Sequence, residues 1–252
     1  IQTLSRCEAV LLESIEREAY TTMIICTRFL NEAVSLASLK QGMDPMDIDN
    51  DALGDTLRET GARLIRRLHS AEMLNIVQAK RTTHFFHQTR EIFRLLARLV
   101  SLVQKPDETN NLFREAFDIM TRVPGNENHG GQLLLAYLSS IAPHCRNLDE
   151  WFPEKGFTRL QDTKQSVATF VNTAILLLRT VAPTDEIQRR FVDTIRPFGA
   201  WNEMEEAFET NGWQLYVIAR EAGAYRWNWM MYTVLQDLVK MVNLATANTF
   251  VN

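Results

Sequence analysis

The sequence predicts an all-α fold, an antiparallel stack of helices with the pair spacing of a short HEAT- or armadillo-like α-solenoid. Three observations carry this reading. Strand-like alternation of apolar and polar residues is absent along the chain. The 10 Gly and 7 Pro among 252 residues are scarcer than the usual ~7% and ~5%, and they gather between apolar stretches rather than inside them. The strongest periodic segments repeat near 3.6 residues, the period of a helix with one buried face. At this length a chain buries roughly 70–75% of the surface its unfolded form exposes, so no metal or disulfide staple is required. A single domain over 1–252 is expected, and the loop at 123–131 is where it would subdivide.

Helical pattern begins almost at Ile1, with helices expected near 3–17 and 18–40. Starting so abruptly and without Met, the chain reads as a segment of a larger protein. After the acidic loop Gln41 to Asp51 comes a helix near 53–79. Steps of 100° place Leu57, Leu64, Ile65 and Leu68 together there and turn Arg63, Arg66 and Arg67 away. In the next helix, near 84–104, Phe85, Ile92, Phe93, Leu96, Leu99, Val100 and Val103 share one face. His87, Arg90, Arg94 and Arg98 share the other.

Helices near 108–122 and 131–142 flank Val123 to Gly131, a polar, glycine-rich stretch expected as a mobile surface loop. Asn147, with Glu150 three residues on, has the form of an N-cap and its reciprocal partner. It opens a helix near 148–154, which Gly156 is expected to end in the left-handed conformation. Another helix spans 158–182. Thr184-Asp185-Glu186 after Pro183 opens the one near 185–195. Helices near 199–210 and 212–222 follow, with Gly212 and Gly223 in the same terminating role as Gly156, and the last runs near 224–248. Short connections force neighbours to pack against each other. Pairs at 84–122, 131–182 and 185–222 have the ~40-residue size of a solenoid repeat, although no residue signature recurs between them.

Few residues suggest chemistry. Cys7, Cys26 and Cys145 are odd in number and irregular in spacing, as expected of reduced core thiols. Asp47-Ile-Asp49-Asn-Asp51 begins like a calcium loop, but Ala52 stands where the sharp turn needs Gly and Arg58 where the bidentate Glu belongs. His84, His87 and Glu91 share a helix side at metal-ligand spacing, yet no second pair completes a set of four. No nucleophile elbow, zinc-protease helix, Walker loop or dinucleotide fingerprint occurs. In His144-Cys145 nothing orients the imidazole. No catalytic residue, metal or cofactor is therefore assigned. The uncharged run Gln165 to Leu178 is too short to span a bilayer. With no glycosylation acceptor and no leader pattern, an intracellular location, cytoplasm or nucleus, is expected.

Charge segregation is the informative feature. Between 58 and 105 stand ten cations, eight of them Arg, against Glu59, Glu72 and Glu91. That is a net of +7 in a chain of −4, leaving −11 for the remainder. Such a face is either a solvated stripe paired internally with the acidic loop, or a docking surface for an acidic protein partner or a nucleic-acid backbone. Aromatic residues do not interleave with it, since Phe85, Phe86 and Phe93 fall on the apolar side, and the pI of 5.8 gives no global attraction to nucleic acid. All five Trp lie in the second half, and around Trp227, Trp229, Met231 and Tyr232 the last helix is apolar on most of its circumference. It is expected to be enclosed, or else to be half core and half protein interface.

The function these features predict is that of a non-catalytic scaffold or interaction module that docks an acidic protein partner inside a larger intracellular assembly. Arg63, Arg66, Arg67, His87, Arg90, Arg94 and Arg98 would steer the partner, and an apolar groove near Trp227 and Trp229 would supply affinity. Nucleic-acid binding through the Arg face is the alternative, and an enzyme with an inter-helical pocket the third reading.

Overall fold

The computed structural model describes residues 2–17, 19–41, 52–69, 83–103, 105–122, 129–162, 166–199 and 212–249. Among them are eleven α-helices and no strand, so the fold is all-α. The helices are α1 (Gln2–Glu16), α2 (Tyr20–Gln41), α3 (Ala52–Leu68), α4 (Thr83–Val103), α5 (Pro106–Arg122) and α6 (His129–Ile141), then α7 (Leu148–Gln161), α8 (Val167–Thr180), α9 (Asp185–Ile195), α10 (Trp213–Ala224) and α11 (Asn228–Thr249). Short 3-10 turns occupy Ala142–His144 and Arg196–Gly199. Two compact units result, one of Ile1–Met120 with Asn128–Arg146, the other of Thr121–Glu127 with Asn147–Asn252. No helix among the described residues is long and apolar enough to cross a membrane.

In the first unit α4 is the central element, and α2, α3 and α6 pack against it. Ile92, Phe93, Leu96, Leu99 and Val100 are buried on the face that periodicity predicts. Leu95 is buried as well, because neighbours approach α4 from more than one side. The opposite face keeps Arg90, Arg94 and Arg98 in solvent. From α6, Tyr137 sets its ring edge-to-face on Phe93 at 5.3 Å and on His69 at 5.6 Å.

His69 is buried, and neither ring nitrogen has a hydrogen-bond partner among the described residues. Burial pushes its pKa below the usual 6.5, and the Glu115 carboxylate, 3.8 Å from Nδ1, opposes this only in part. As pH falls through ~6.5, unfolded chains take up a proton here while folded ones do not, so stability present above that pH is lost on acidification. The melting temperature of the native chain should therefore drop more between pH 7 and pH 5 than that of His69→Leu. Parallel pH profiles would show that this imidazole titrates normally.

The second unit is built on α8. Its residues from Thr169 to Leu178 are buried except for Val171, because α7 and α10 both pack on it. A helix apolar on every side must be enclosed in this way. Ser166 caps it by accepting from the Thr169 N–H, and Thr184 caps α9 from the Ile187 N–H, as its sequence predicts. Buried Gln188 ties the unit together. Its Nε2 donates to the Pro183 carbonyl at 2.9 Å, and its Oε1 accepts from the Met230 N–H in the first turn of α11 at 3.1 Å.

Several predicted boundaries are corrected here. Gly156 does not end a helix: α7 continues through it to Gln161, and the break falls between Asp162 and Ser166. The glycine is needed for close approach, since a Cβ there would lie 2.7 Å from Leu177 Cδ2. Gly212, at φ −61°, is right-handed and caps the start of α10, and Gly223 lies inside α10, facing Met231. The left-handed residue at the α10–α11 turn is Arg226, with φ 66°. Asn147 is also left-handed, at φ 51°, and makes no side-chain cap, so the reciprocal pair with Glu150 does not form. Just before it, Asn110 clamps the backbone of Arg146 through paired bonds of 2.7 and 2.8 Å.

Candidate functional site

A polar concavity lies in the first unit, where α2 meets α4. Spacings of three and four residues put Arg28, Asn31 and Glu32 on one face of α2, and Glu91, Arg94, Arg98 and Ser101 on one face of α4. Ser140 and His144 complete a groove of about 620 Å³. Arg98 Nη1 donates across it to Asn31 Oδ1 at 3.3 Å and to Ser35 Oγ at 3.4 Å. Arg94 Nη1 donates to Glu91 Oε1 at 2.8 Å, and Arg90 Nε lies 3.6 Å from the same oxygen. Arg28 has no ion pair or hydrogen bond among the described residues. Three guanidinium groups against two carboxylates leave the rim net positive, with fixed forks able to grip a carboxylate or phosphate in two places.

The remaining predicted cations have structural duties. Arg63 is turned inward: its Nε and Nη2 donate to both oxygens of Glu8 at 3.0–3.1 Å, and Nη2 also reaches Thr60 Oγ1. Glu8 is largely buried, and its hydrogen bonds raise the guanidinium pKa further. Arg63 thus fastens α1 to α3 while its side chain stays 42% exposed. Arg66 and Arg67 are exposed in the last turn of α3, where cations favour the negative end of the helix dipole; Arg66 Nε donates to the Ala62 carbonyl at 3.2 Å. The carboxylates that meet the stripe are Glu8, Glu59 and Glu91.

The acidic loop before α3 and the side chains of His84 and His87 lie outside the described residues. Among the described residues no His, Cys, Asp and Glu cluster could hold a metal. Cys145 Sγ donates to the Ile141 carbonyl at 3.6 Å, and burial pushes its pKa up to about 12, so this thiol stays protonated at neutral pH.

In the second unit the two candidate tryptophans separate. Trp227 is fully buried, packed edge-to-face on Phe191 at 5.5 Å, and its indole N–H donates to the Leu178 carbonyl at 3.0 Å. It is a core anchor and cannot meet a partner, which corrects its assignment to the docking set. Trp229 and Tyr232 stay exposed, so α11 is half core and half surface and the expected enclosure does not occur.

Arg28 is the groove residue that sequence reasoning missed. Its signal was the polar row Arg28, Asn31, Glu32 and Ser35 on an otherwise apolar α2. Comparison with known protein families, with curated proteins and with solved structures returns no match to this chain.

Proposed function

We propose that this chain is a non-catalytic helical interaction module of an intracellular assembly, and that the α2–α4 groove docks an acidic segment of a protein partner. The observation that carries this reading is the placing of Arg28, Arg94 and Arg98, from two helices, around one concavity. Their field steers an acidic chain toward the groove, and planar forks then fix carboxylates in register. Asn31, Ser101 and Ser140 offer neutral hydrogen bonds beside them. Phosphate backbones suit the site less well. None of the groove residues is a Phe, Tyr or Trp on which a base could stack.

Binding of a fluorescent polyglutamate peptide, followed by anisotropy, tests the reading. Arg28→Glu combined with Arg94→Glu should weaken it by roughly tenfold or more. The melting curve should hold, because both side chains are exposed. Equal affinity in the variant would remove the groove from the binding site. Capture of single-stranded RNA but not of the peptide, with affinity falling linearly in log–log with salt, would assign it to nucleic acid instead.

A further inference from the structure

The hairpin of α10 and α11 carries an apolar surface that none of the described elements of the second unit covers. Between the two helices lies a groove of about 510 Å³ lined by Trp213, Tyr216, Leu235, Leu238, Val239 and Val242. Trp213 and Tyr216 hold their rings 5.4 Å apart, which fixes them in place before any partner arrives. Along α11, Trp229, Tyr232, Gln236, Val239, Asn243 and Thr246 follow one another at alternating spacings of three and four, and all six are exposed. That is the seam spacing of a helix that packs on another helix.

From this surface we infer that the outward face of the α10–α11 hairpin is the interface of a homodimer, closed by a two-fold axis near the middle of the stripe. Its aromatic anchors supply a large share of the area such an interface needs. Trp213, Tyr216, Trp229 and Tyr232 are 67%, 44%, 46% and 62% exposed. At roughly 150–250 Å² per whole aromatic side chain they present about 330–550 Å², and Val239 and Val242 add to this. A stable interface needs about 800 Å² per partner, so these anchors alone approach half of it or more.

Charge selects the partner. The ionisable side chains of α11 are Asp237 and Lys240, which lie 3.2 Å apart, and Asp237 also meets Arg196 at 3.3 Å. The α11 stripe itself carries no charge, and on α10 the exposed Arg220, which follows Trp213 and Tyr216 at the same spacing, lies 3.7 Å from Glu221. Gln236 and Asn243 each carry both a donor and an acceptor, so they can pair with their own kind across a two-fold axis. The uncharged, self-complementary stripe of α11 fits the same stripe of a second copy of the chain.

Sedimentation of the 252-residue chain across roughly 1–100 μM tests this. The expected mass is twice 29.0 kDa, and Val239→Asp should return it to the single-chain value with helical content unchanged. Gln236→Glu and Gln236→Lys should each dissociate on their own, and an equimolar mixture should recover the doubled mass, since opposite charges then meet across the axis. A single-chain mass at every concentration overturns the proposal. So does a dimer that Val239→Asp leaves intact or that the mixture fails to restore, either of which places the contact elsewhere.

Discussion

Trp227→Ala should lower the unfolding free energy by about 3–5 kcal/mol, the range for deleting a large aromatic from a closed core. The side chain is fully buried, so its removal leaves a cavity inside the core. A second loss adds to the cavity. Leu178 lies in the last turn of α8 (Val167–Thr180), where carbonyls have no partner within the helix. The Val181 N–H serves the Leu177 carbonyl, and the indole N–H of Trp227 serves that of Leu178. Trp227→Phe, which keeps most of the volume, should therefore still cost about 1–3 kcal/mol, the penalty for a buried group left unpaired. Trp229→Ala, two residues along, should stay within about 0.5 kcal/mol in dilute solution. Denaturant titrations followed by circular dichroism would measure all three. Similar losses at 227 and 229 would refute the placement of the two indoles.

The second large effect is expected at Gly156. Helix propensity alone predicts that Gly156→Ala stabilises the interior of α7 by about 1 kcal/mol. Contact predicts the reverse. An added Cβ would stand 2.7 Å from Cδ2, 2.9 Å from Cγ and 3.0 Å from Cδ1 of Leu177. Leu177 is itself buried in an enclosed helix, so it cannot swing aside. Overpacking of this kind costs about 1–3 kcal/mol; Gly156→Ala should be a net loss, and Gly156→Val should approach the upper end. The cause is separable from propensity by pairing the change with Leu177→Ala. The double variant should lose less than the sum of the single losses, because the truncated leucine makes room for the new Cβ. Additive losses would mean that the two helices do not meet at this point.

These positions also show which parts of the fold are legible in the sequence. The buried face of α4 could be read residue by residue, because arginines on its outer face give the pattern a phase. On α8 there is no phase to read, since the helix is apolar all round. Glycine carries two meanings, a backbone that turns left-handed or a surface that lets another helix close in. At Gly156 only the partner 21 positions away decides between them. The docking set divides for the same reason. Arg94 and Arg98 were visible because they belong to a long periodic helix, whereas Arg28 sits on α2, where the apolar background hides the row. Arg63 looked like its neighbours until Glu8, 55 residues distant, was found holding it.

Besides the Arg196–Asp237 contact at mid-helix, the start of α11 is held twice: Trp227, just before it, donates to the end of α8, and the Met230 N–H of α11 donates to Gln188. Its first turn cannot fray without stripping partners from α8 and α9, so that turn opens only when the core of the second unit opens with it. Toward Thr249 no such bond to α8 or α9 appears among the described residues. The stretch of α11 nearest Trp227 is therefore expected to be the last part of that helix to let go.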